Sequence, residues 1–437
     1  MKIREIDAVE FDAYAKNHDY ANPWQTSNYG EAAKVLGYNV LYLGFEEGLT
    51  LVGATLLLTK LAFAGQSISY APRGILIDYE DAKAVEDAFN NLKKYLNLHK
   101  IMSLTMDPPV ILTIRNKNGT LKENSNNIDK KLDTILHGGE VLKANPYAKD
   151  VVNLLMRKQK FEFRGQNLYF EGILPRWYAI TNLPINSRTL LNKIDKRTRT
   201  KLRKAAKLGV EIMQDDTKNI RALYEVMNQK GKPIEYYEAL IANNPDCEIY
   251  LARVNSEKYV NNSKILYERE IERNEILNRI IQEKGANGKN MQKALNQKME
   301  SDKIIGNFKE HLVRSTQTLK DYPNGRIIAA CIVIKSGTNV SIFEDGYLRE
   351  YSSLNALYLL RWKVIEKYSS SECRTFNFGE ITGGFDKRRN PMHGINEAKL
   401  AFRGSILEYI GEFGIMTNKT MYNLYLASVT NRPQFKV

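Results

Sequence analysis

The sequence predicts a mixed α/β (α+β) protein that is built from two lobes of related design, with a helical hairpin inserted in the second. Three observations predict this class. Helix and strand patterns alternate through the first third of the chain, a similar order recurs further on, and a polar, proline-free segment at 255–303 interrupts the second series. With 437 residues and 43% hydrophobic content, the chain is long enough for about two or three domains.

The first third contains short β-type runs and two amphipathic helix patterns. The predicted helices are Tyr29–Leu36 and Ala82–Leu98. The predicted strands are Val40–Phe45, Leu49–Leu61, Ile68–Tyr70, Gly74–Ile77 and Ile101–Met106. Asp107 and two prolines follow the last strand as a turn signal, so this region predicts one α/β lobe.

The second series follows a polar stretch at Asn116–Lys131. A basic helix lies after its second predicted strand, and a helix at Leu354–Tyr368 precedes its last one. The predicted strands are Phe161–Ile173, Tyr178–Leu183, Val210–Met213, Ile249–Val254, Ile327–Ile334, Val340–Phe343 and Thr375–Phe378. Because this order resembles the first third, we expect a second lobe of related design, although no sequence repeat is visible.

The inserted segment at 255–303 is rich in Glu, Lys, Asn, Gln and Ile, and has a turn signal at Gly285–Gly288. Each arm of the hairpin carries a thin apolar seam of the antiparallel coiled-coil type. The predicted seam residues are Ile271, Leu277, Ile280, Ile281, Met291, Ala294, Leu295 and Met299. The pattern fits a spacer, a homodimerisation arm or a binding arm equally well.

The composition favours a phosphate-rich partner without identifying it. Lys and Arg number 64 against 50 Asp and Glu, a net charge of +14, which suits tRNA, an anionic membrane surface or a polyphosphate substrate. The three cysteines are widely spaced and odd in number, so they predict neither a disulfide framework nor a metal site and suit a reducing cytoplasm. The most apolar run, Leu49–Ala64, is broken by Lys60, so we expect no secreted or membrane-spanning segment.

The most informative stretch is Lys193–Val210, which holds eight cations and one anion in eighteen residues. On a helix, Arg199 and Arg203 share one line with Lys196 and Lys207, while a second cationic line lies beside it. The narrow remaining side, Leu202, Ala205 and Ala206, is suited to dock the helix on a core, and Gly209 lies where the helix would end. A solvated surface is the alternative, but like charges at i, i+4 repel, so we favour phosphate binding.

The common catalytic signatures are missing from the sequence: it has no P-loop, dinucleotide fingerprint, HExxH or GxSxG motif, and its five histidines form no i, i+4 pair. Asp107 ends a strand, a position that often faces a ligand crevice, but an ordinary turn aspartate fits equally well. Lys399 is flanked by apolar residues and is suited to stabilise an oxyanion if it is buried.

Seven segments in this order resemble the Fem family of peptidoglycan-bridge aminoacyltransferases, which includes FemA, FemB, FemX and MurM. The resemblance covers nearly the whole chain, and the FemX-like lipid II:glycine glycyltransferases are one candidate subgroup. The segments are QTSNYGEAAKVLGY (25–38), APRGILIDY (71–79), TMDPPV (105–110), KRTRTKLRKAAKLGVEI (196–212), YYEAL (236–240), NALYLLRWKVIEKY with FNFGEITGG (355–384), and HGINEAKLAF with EYIGEF (393–413).

The resemblance implies two GNAT-like lobes and an inserted arm. The first lobe would span 1–152 and be completed by 410–437, the second would span 153–409, and the arm would be 255–303. The implied reaction moves Gly, Ala or Ser from aminoacyl-tRNA to the stem-peptide amine of lipid II or UDP-MurNAc-pentapeptide. No metal or bound cofactor is implied, and the implied location is cytoplasmic, with peripheral contact at the inner membrane face.

The resemblance also implies roles for single residues. Lys34 matches a lysine that contacts phosphate or uridyl groups, and Tyr236 and Tyr237 of YYEAL match substrate-binding positions. Arg199 and Arg203 match a pair that binds substrate phosphates. Asp107 matches an aspartate proposed as a base, and Lys399 matches a lysine that stabilises the tetrahedral intermediate. The chain departs from the family pattern at three positions: Tyr29, Ala398 and Glu380.

The implied chemistry suits these residues, because an aminoacyl ester is already activated and needs only orientation, an unprotonated amine and charge for the oxyanion. Two other functions remain open. An acyl-CoA-dependent N-acyltransferase would share the fold but should carry a pyrophosphate-binding loop, and we find none well placed. A non-catalytic RNA-binding protein would share the basic helix and the arm, but would not need Asp107 and Lys399 in one groove.

Overall fold

The computed structural model describes residues 1–116, 141–165, 167–184, 186–216, 219–283, 289–386, 388–429 and 435. Most of the predicted stretch 116–131 and the predicted hairpin turn at 285–288 lie outside these residues. The strands are β1 Lys2–Glu5, β2 Asn39–Glu47, β3 Thr50–Phe63, β4 Gln66–Ala71, β5 Leu76–Ile77, β6 Ile101–Met106, β7 Ile111–Arg115, β8 Val141–Ala144, β9 Glu162–Phe163, β10 Trp177–Asn182, β11 Val210–Gln214, β12 Cys247–Val254, β13 Arg326–Ser336, β14 Asn339–Tyr347, β15 Thr375–Ile381, β16 Ser405–Tyr409 and β17 Phe413–Met416.

The helices range from one turn to more than eight turns. They are α1 Ala8–Asn17, α2 Ser27–Val35, α3 Ala82–Leu98, α4 Ala148–Asn153, α5 Ser187–Lys193, α6 Lys196–Lys207, α7 Ile220–Met227, α8 Ile234–Ile241, α9 Ser256–Glu283, α10 Lys289–Asp321, α11 Ala356–Tyr368, α12 His393–Leu400 and α13 Lys419–Ser428. Short helical segments at Leu154–Lys158, Asn228–Lys230 and Arg349–Leu354 have π or 3₁₀ geometry.

Two mixed sheets form the two lobes. The first has the order β1-β2-β3-β4-β6-β17-β9, with β5 beside β3, and the second has the order β11-β12-β13-β14-β15-β10-β16-β7-β8. Each sheet contains one parallel pair, β4 with β6 and β14 with β15, whose strands are joined through a helix, α3 or α11. This shared unit, in which antiparallel strands lead through a helix to a parallel strand, makes the two lobes related in design.

The predicted boundary at residue 152 needs a correction. Strands β7 and β8 precede that residue, yet they pair with β16 at the edge of the second sheet. Conversely, β9 follows it but pairs in the first sheet with β17, from the C-terminal part of the chain. The chain therefore crosses between the sheets several times, because strand pairing joins segments that are distant in sequence.

The inserted arm is longer than predicted, since α10 continues to Asp321 instead of ending at residue 303. The two helices run antiparallel, with Tyr259 bonded to His311 near the root and Asn274 bonded to Asp302 further out. The buried seam contains small and polar residues besides Leu277 and Ala294, including Ser263, Asn274, Ser301, Ser315 and Thr318. Leu295 and Met299, which we predicted for the seam, are exposed by 37% and 61%.

No helix in the part of the chain that the structure describes is both long enough and apolar enough to cross a bilayer.

Candidate functional site

A cleft of about 560 Å³ opens in the second lobe where the parallel strands β14 and β15 separate. The strands are paired over three residues, from Asn339↔Thr375 to Ser341↔Asn377, and β14 then continues to Tyr347 without further pairing to β15. Asp345 of β14 and Glu380 of β15 lie on the separated parts and line the cleft. A ligand can therefore enter between two strands that would otherwise be hydrogen-bonded.

Lys399 of α12 lines this cleft. Its side chain is 6% exposed, so the burial on which its proposed role depends is present, and its Nζ lies 3.3 Å from Oε1 of Glu380. Gly379 makes room for it, because a Cβ atom at that position would lie 3.0 Å from the Lys399 Nζ. The ammonium group is thus held at a defined point beside open space, as oxyanion stabilisation requires.

A buried ion pair supports the wall of the cleft. Arg361 of α11 donates to Oδ2 of Asp345 from Nη2 at 2.7 Å and from Nε at 3.2 Å, and donates from Nη1 to the Ala398 carbonyl at 3.3 Å. It therefore ties β14 to the Lys399 helix. Burial acts to raise the pKa of the Asp345 carboxyl, but the nearby cations Arg361, Lys399 and Lys230 outweigh it and lower that pKa below its ordinary value.

A second cleft of about 520 Å³ separates the basic helix α6 from α12, and we call it the basic-helix cleft. Arg197 and Lys201 line it: Arg197 pairs with Glu397 at 2.9 Å, and the Lys201 Nζ donates to the Tyr358 hydroxyl at 2.7 Å. The same Nζ lies 4.1 Å from the centroid of the Tyr358 ring. Tyr358 also lines the Lys399 cleft, so its side chain lies between the two.

The basic helix ends before Gly209, as predicted, and Gly209 has a left-handed conformation of φ +83°. At its other end the Asp195 side chain accepts from the Thr198 N–H and caps the first turn, which we did not predict. Leu202 and Ala205 are buried, whereas Ala206 is exposed, so the docking side is narrower than expected. Arg203 is exposed, and Arg199 donates to the Asn192 carbonyl at 3.2 Å. Neither arginine lines the Lys399 cleft or the basic-helix cleft.

Asp107 lies in the first lobe and is 2% exposed. Its Oδ1 accepts from the Tyr70 hydroxyl and the Arg73 backbone N–H, both at 2.9 Å, and its Oδ2 lies 3.1 Å from the Arg73 guanidinium. Burial raises the pKa of the Asp107 carboxyl, while Arg73 and Tyr70 offset part of that effect. Asp107 lines neither the Lys399 cleft nor the basic-helix cleft, so these two clefts do not bring it together with Lys399.

Arg73 connects Asp107 to the second lobe. Its Nη2 donates to the Pro175 carbonyl and, at 3.1 Å, to the Tyr178 hydroxyl. Its guanidinium carbon also lies 4.1 Å from the centroid of the Tyr409 ring. Since Tyr178 and Tyr409 belong to strands of the second sheet, the ion pair acts as an anchor between the lobes.

The remaining predicted residues lie elsewhere. Lys34 is exposed on α2 and pairs with Glu31 at 2.6 Å. Tyr236 and Tyr237 lie on α8 and are fully buried, so direct substrate contact by their rings does not match the structure. The Tyr236 hydroxyl accepts from Lys232 at 3.3 Å, and the Tyr237 hydroxyl donates towards Glu344 at 3.5 Å.

Four residues of the Lys399 cleft were not predicted as site residues: Asp345, Tyr358, Arg361 and Glu380. Arg361 carried a usable signal, because it interrupts the apolar run ALYLLRWKVI of α11 and an arginine in such a run needs a buried partner. Glu380 was noted only as a departure from a glycine-rich turn. Nothing in the local sequence indicates that Asp345 and Tyr358 face the same cleft.

Comparison with known proteins identifies the chain's relatives. A profile of the FemAB family matches residues 6–428. Lipid II:glycine glycyltransferase from Staphylococcus aureus is 22% identical over 444 residues, which cover 97% of this chain and 95% of the relative. The protein of the same name from Staphylococcus aureus strain USA300 matches with the same identity and coverage.

Among solved structures, the crystal structure of FemX superposes with a TM-score of 0.67 and 18% sequence identity, and covers 97% of this chain and 99% of that chain. Both lobes are therefore part of a shared fold, which confirms the predicted two-lobe α/β class. Because the family profile spans almost the entire chain, this protein belongs to the FemAB family.

Proposed function

We propose that this protein transfers an amino acid from aminoacyl-tRNA to the stem-peptide amine of lipid II or of its UDP-linked precursor, as a step of peptidoglycan crossbridge synthesis. The observation that carries the proposal is the nearly buried ammonium of Lys399, held 3.3 Å from Glu380 beside an open cleft in a FemAB family member. The relatives named Lipid II:glycine glycyltransferase support the acceptor class. Gly, Ala and Ser are the proposed amino acids.

The chemistry requires no nucleophilic side chain. The acceptor amine attacks the ester carbonyl of the aminoacyl group, and the Lys399 ammonium stabilises the oxyanion that forms there. Arg361 and Asp345 hold the helix and strand that frame this point, so the charge is fixed before the reaction begins. Asp107 acts at a distance in this proposal, since it holds Arg73 at the contact between the lobes.

Phosphate groups of the substrates are proposed to contact the basic helix. Arg199 and Arg203 lie on its exposed side and are assigned to the diphosphate of the acceptor, for which a guanidinium offers two parallel hydrogen bonds. Arg197 and Lys201 face the neighbouring cleft. Lys34 on α2 is a further proposed phosphate contact. Tyr236 and Tyr237 are proposed to support substrate binding indirectly, through their hydrogen bonds with Lys232 and Glu344.

A lipid-linked acceptor would bring the protein to the inner face of the membrane, so we propose a cytoplasmic enzyme with peripheral membrane contact. Its net charge of +14 would favour an anionic surface. The arm formed by α9 and α10 is proposed to contact tRNA or a second copy of the chain. Size measurement of the purified protein, alone and with tRNA, separates these two roles of the arm.

The deciding experiment offers the purified protein tRNA charged separately with Gly, Ala or Ser, together with either lipid II or UDP-MurNAc-pentapeptide. The expected product is an acceptor whose mass has grown by one amino-acid residue, found with only some of these pairs. Acetyl-CoA replaces the charged tRNA in a parallel reaction. An acetylated acceptor would favour an acyl-CoA-dependent N-acyltransferase, and tight tRNA binding without any product would favour a non-catalytic RNA-binding protein.

A further inference from the structure

We propose that Glu380 is a catalytic residue that accepts the proton of the attacking amine and passes it to the leaving ribose oxygen. This inference rests on the proposed aminoacyl transfer and names a group that the family resemblance does not supply. Of the two carboxylates that line the Lys399 cleft, Glu380 is the more accessible, with a side chain 42% exposed against 12% for Asp345.

The backbone directs Glu380 into the cleft. Strand β15 pairs with β10 at Asn377↔Ile180 and again at Glu380↔Tyr178, so β15 has one more residue than its partner in this interval. The extra residue forms a β-bulge at Gly379, whose φ is +90° and whose N–H donates to the Asn377 side chain at 2.9 Å. Such bulges change the direction of the next side chain, here the carboxylate that reaches Lys399.

The charges of Glu380 and Lys399 match those of the reaction intermediate. When an amine adds to an ester carbonyl, the oxygen becomes negative while the nitrogen becomes positive, and the two atoms are bonded to the same carbon. A cation and an anion 3.3 Å apart can face these two charges together, with Lys399 near the oxygen and Glu380 near the nitrogen. A lone cation would stabilise only half of this charge distribution.

The proton balance follows from this arrangement. The neutral amine forms the C–N bond, and the proton on the resulting ammonium moves to the Glu380 carboxylate. The C–O bond to the ribose then breaks, and Glu380 returns the same proton to the leaving ribose oxygen. Glu380 ends as a carboxylate again, so the step needs no oxidant, metal or further reactant.

The other nearby carboxylates are less suited to this task. Oδ2 of Asp345 already accepts two hydrogen bonds from Arg361. Asp107 is 2% exposed and paired with Arg73 in the first lobe. Glu397 lines the other cleft, where it pairs with Arg197. Glu380 therefore combines access, proximity to Lys399 and an acceptor oxygen better than its neighbours.

The test compares wild-type protein with Glu380→Gln and Glu380→Asp in the aminoacyl-transfer assay. Glu366→Gln is the matched control, because Glu366 pairs with Lys363 on the exposed side of α11. Because Glu380→Gln removes the proposed general base, its kcat should be lower by about 10²- to 10⁴-fold, with little change in the KM for aminoacyl-tRNA or for the acceptor. The acid limb of the kcat–pH profile should disappear with it, Glu380→Asp should keep a measurable part of the rate, and the control should match the wild type.

A positioning role predicts a different result, since a glutamine oxygen can still accept a hydrogen bond from Lys399. Loss of less than about tenfold in Glu380→Gln, with an unchanged pH profile, would refute the proposal. Glu380→Ala gives a second measurement: added formate should restore part of its kcat if a carboxylate takes the proton, and absence of rescue in a folded variant counts against it. If the wild-type protein transfers no amino acid with any pair of charged tRNA and acceptor, the proposed function itself fails. The wild-type reaction therefore tests that function separately from the role of Glu380.

Discussion

The parallel strand pairs of the two lobes have the same topology and opposite outcomes. In the first lobe, β4 and β6 stay paired up to their last residues, Ala71 and Met106, and the chain after β4 folds over the strand end through Arg73. In the second lobe, β14 and β15 separate after Ser341 and Asn377. The first arrangement buries a carboxylate, whereas the second opens a cleft beside one.

A carboxylate at or near the end of a parallel strand therefore does not by itself identify an active site. Asp107 in the first lobe is enclosed by Arg73 and Tyr70, so it braces the contact between the lobes. Glu380 in the second lobe remains accessible beside Lys399. Access is decided by how far the neighbouring strand continues to pair, which is a property of the sheet.

Among these variants, the greatest loss of transfer rate is expected at the second-lobe cleft between β14 and β15. Lys399→Met should lower kcat by about 10²- to 10³-fold, because it removes the charge that faces the developing oxyanion. Both KM values and the melting temperature should change little. Lys363→Met on the exposed side of α11 is the control and should behave as wild type. Near-normal turnover of Lys399→Met in the transfer assay would remove the second-lobe cleft from the reaction.

At the first-lobe pair of β4 and β6, whose strands stay paired to their ends, the expected effect is a loss of stability. Asp107→Asn leaves the Arg73 charge buried without its partner, so the free energy of unfolding should fall by about 3 kcal/mol. Asp246→Asn, which breaks the more exposed pair with Lys16, should cost less than about 1 kcal/mol. Denaturant unfolding measures both. If Asp107→Asn instead keeps its stability and loses transfer a hundredfold, Asp107 takes part in the reaction as a base.

The third prediction concerns the pH dependence of stability at the arm. The arm is inserted between β12 and β13, whereas the corresponding strands of the first lobe, β2 and β3, are joined by a short turn. Burial, with Lys204 and Arg314 nearby, lowers the pKa of His311 from 6.5 to about 4. The unfolded chain therefore binds a proton that the folded arm does not, and stability should fall as the pH decreases from about 6.5 to 4.

Melting curves of His311→Asn across this pH range should show a shallower decrease than the wild type. Tyr259→Phe is the control, since it removes the hydroxyl 3.0 Å from His311 Nδ1 but keeps the titrating imidazole. It should lower the melting temperature by a similar amount at each pH. An unchanged slope in His311→Asn would mean that other groups produce the acid sensitivity.

The weakest effect is expected on substrate binding by the basic helix, whose two sides can be compared by substitution. Arg199→Ala and Arg203→Ala should each raise the acceptor KM by about fivefold, the value of an exposed charged contact of roughly 1 kcal/mol, with no change in the affinity for aminoacyl-tRNA. Arg197→Ala and Lys201→Ala alter the cleft side of the same helix. If Arg199→Ala and Arg203→Ala weaken tRNA binding and flatten its salt dependence instead, the exposed side binds tRNA.

Local signals in the sequence predicted several elements closely. The strand Ile101–Met106 and the helix Ala82–Leu98 have the predicted bounds, because a buried run and a 3.6-residue apolar period are properties of neighbouring residues. We predict a strand over Phe161–Ile173, and of the residues that the structure describes in this segment Glu162–Phe163 form one. Positive φ values at Gly165, Asn167 and Phe170 bend the backbone there, and only Phe170 is a residue type that gives no sign of this.

Residues that are close along the chain specified the alternation of helices and strands that predicts two α/β lobes, and the basic helix that ends before Gly209. Contacts between distant segments place β7 and β8 in the second sheet, enclose Asp107 with Arg73, and turn Glu380 towards Lys399 at the Gly379 bulge. Those outcomes depend on pairing between distant strands, whose register and length of contact no short stretch of sequence specifies.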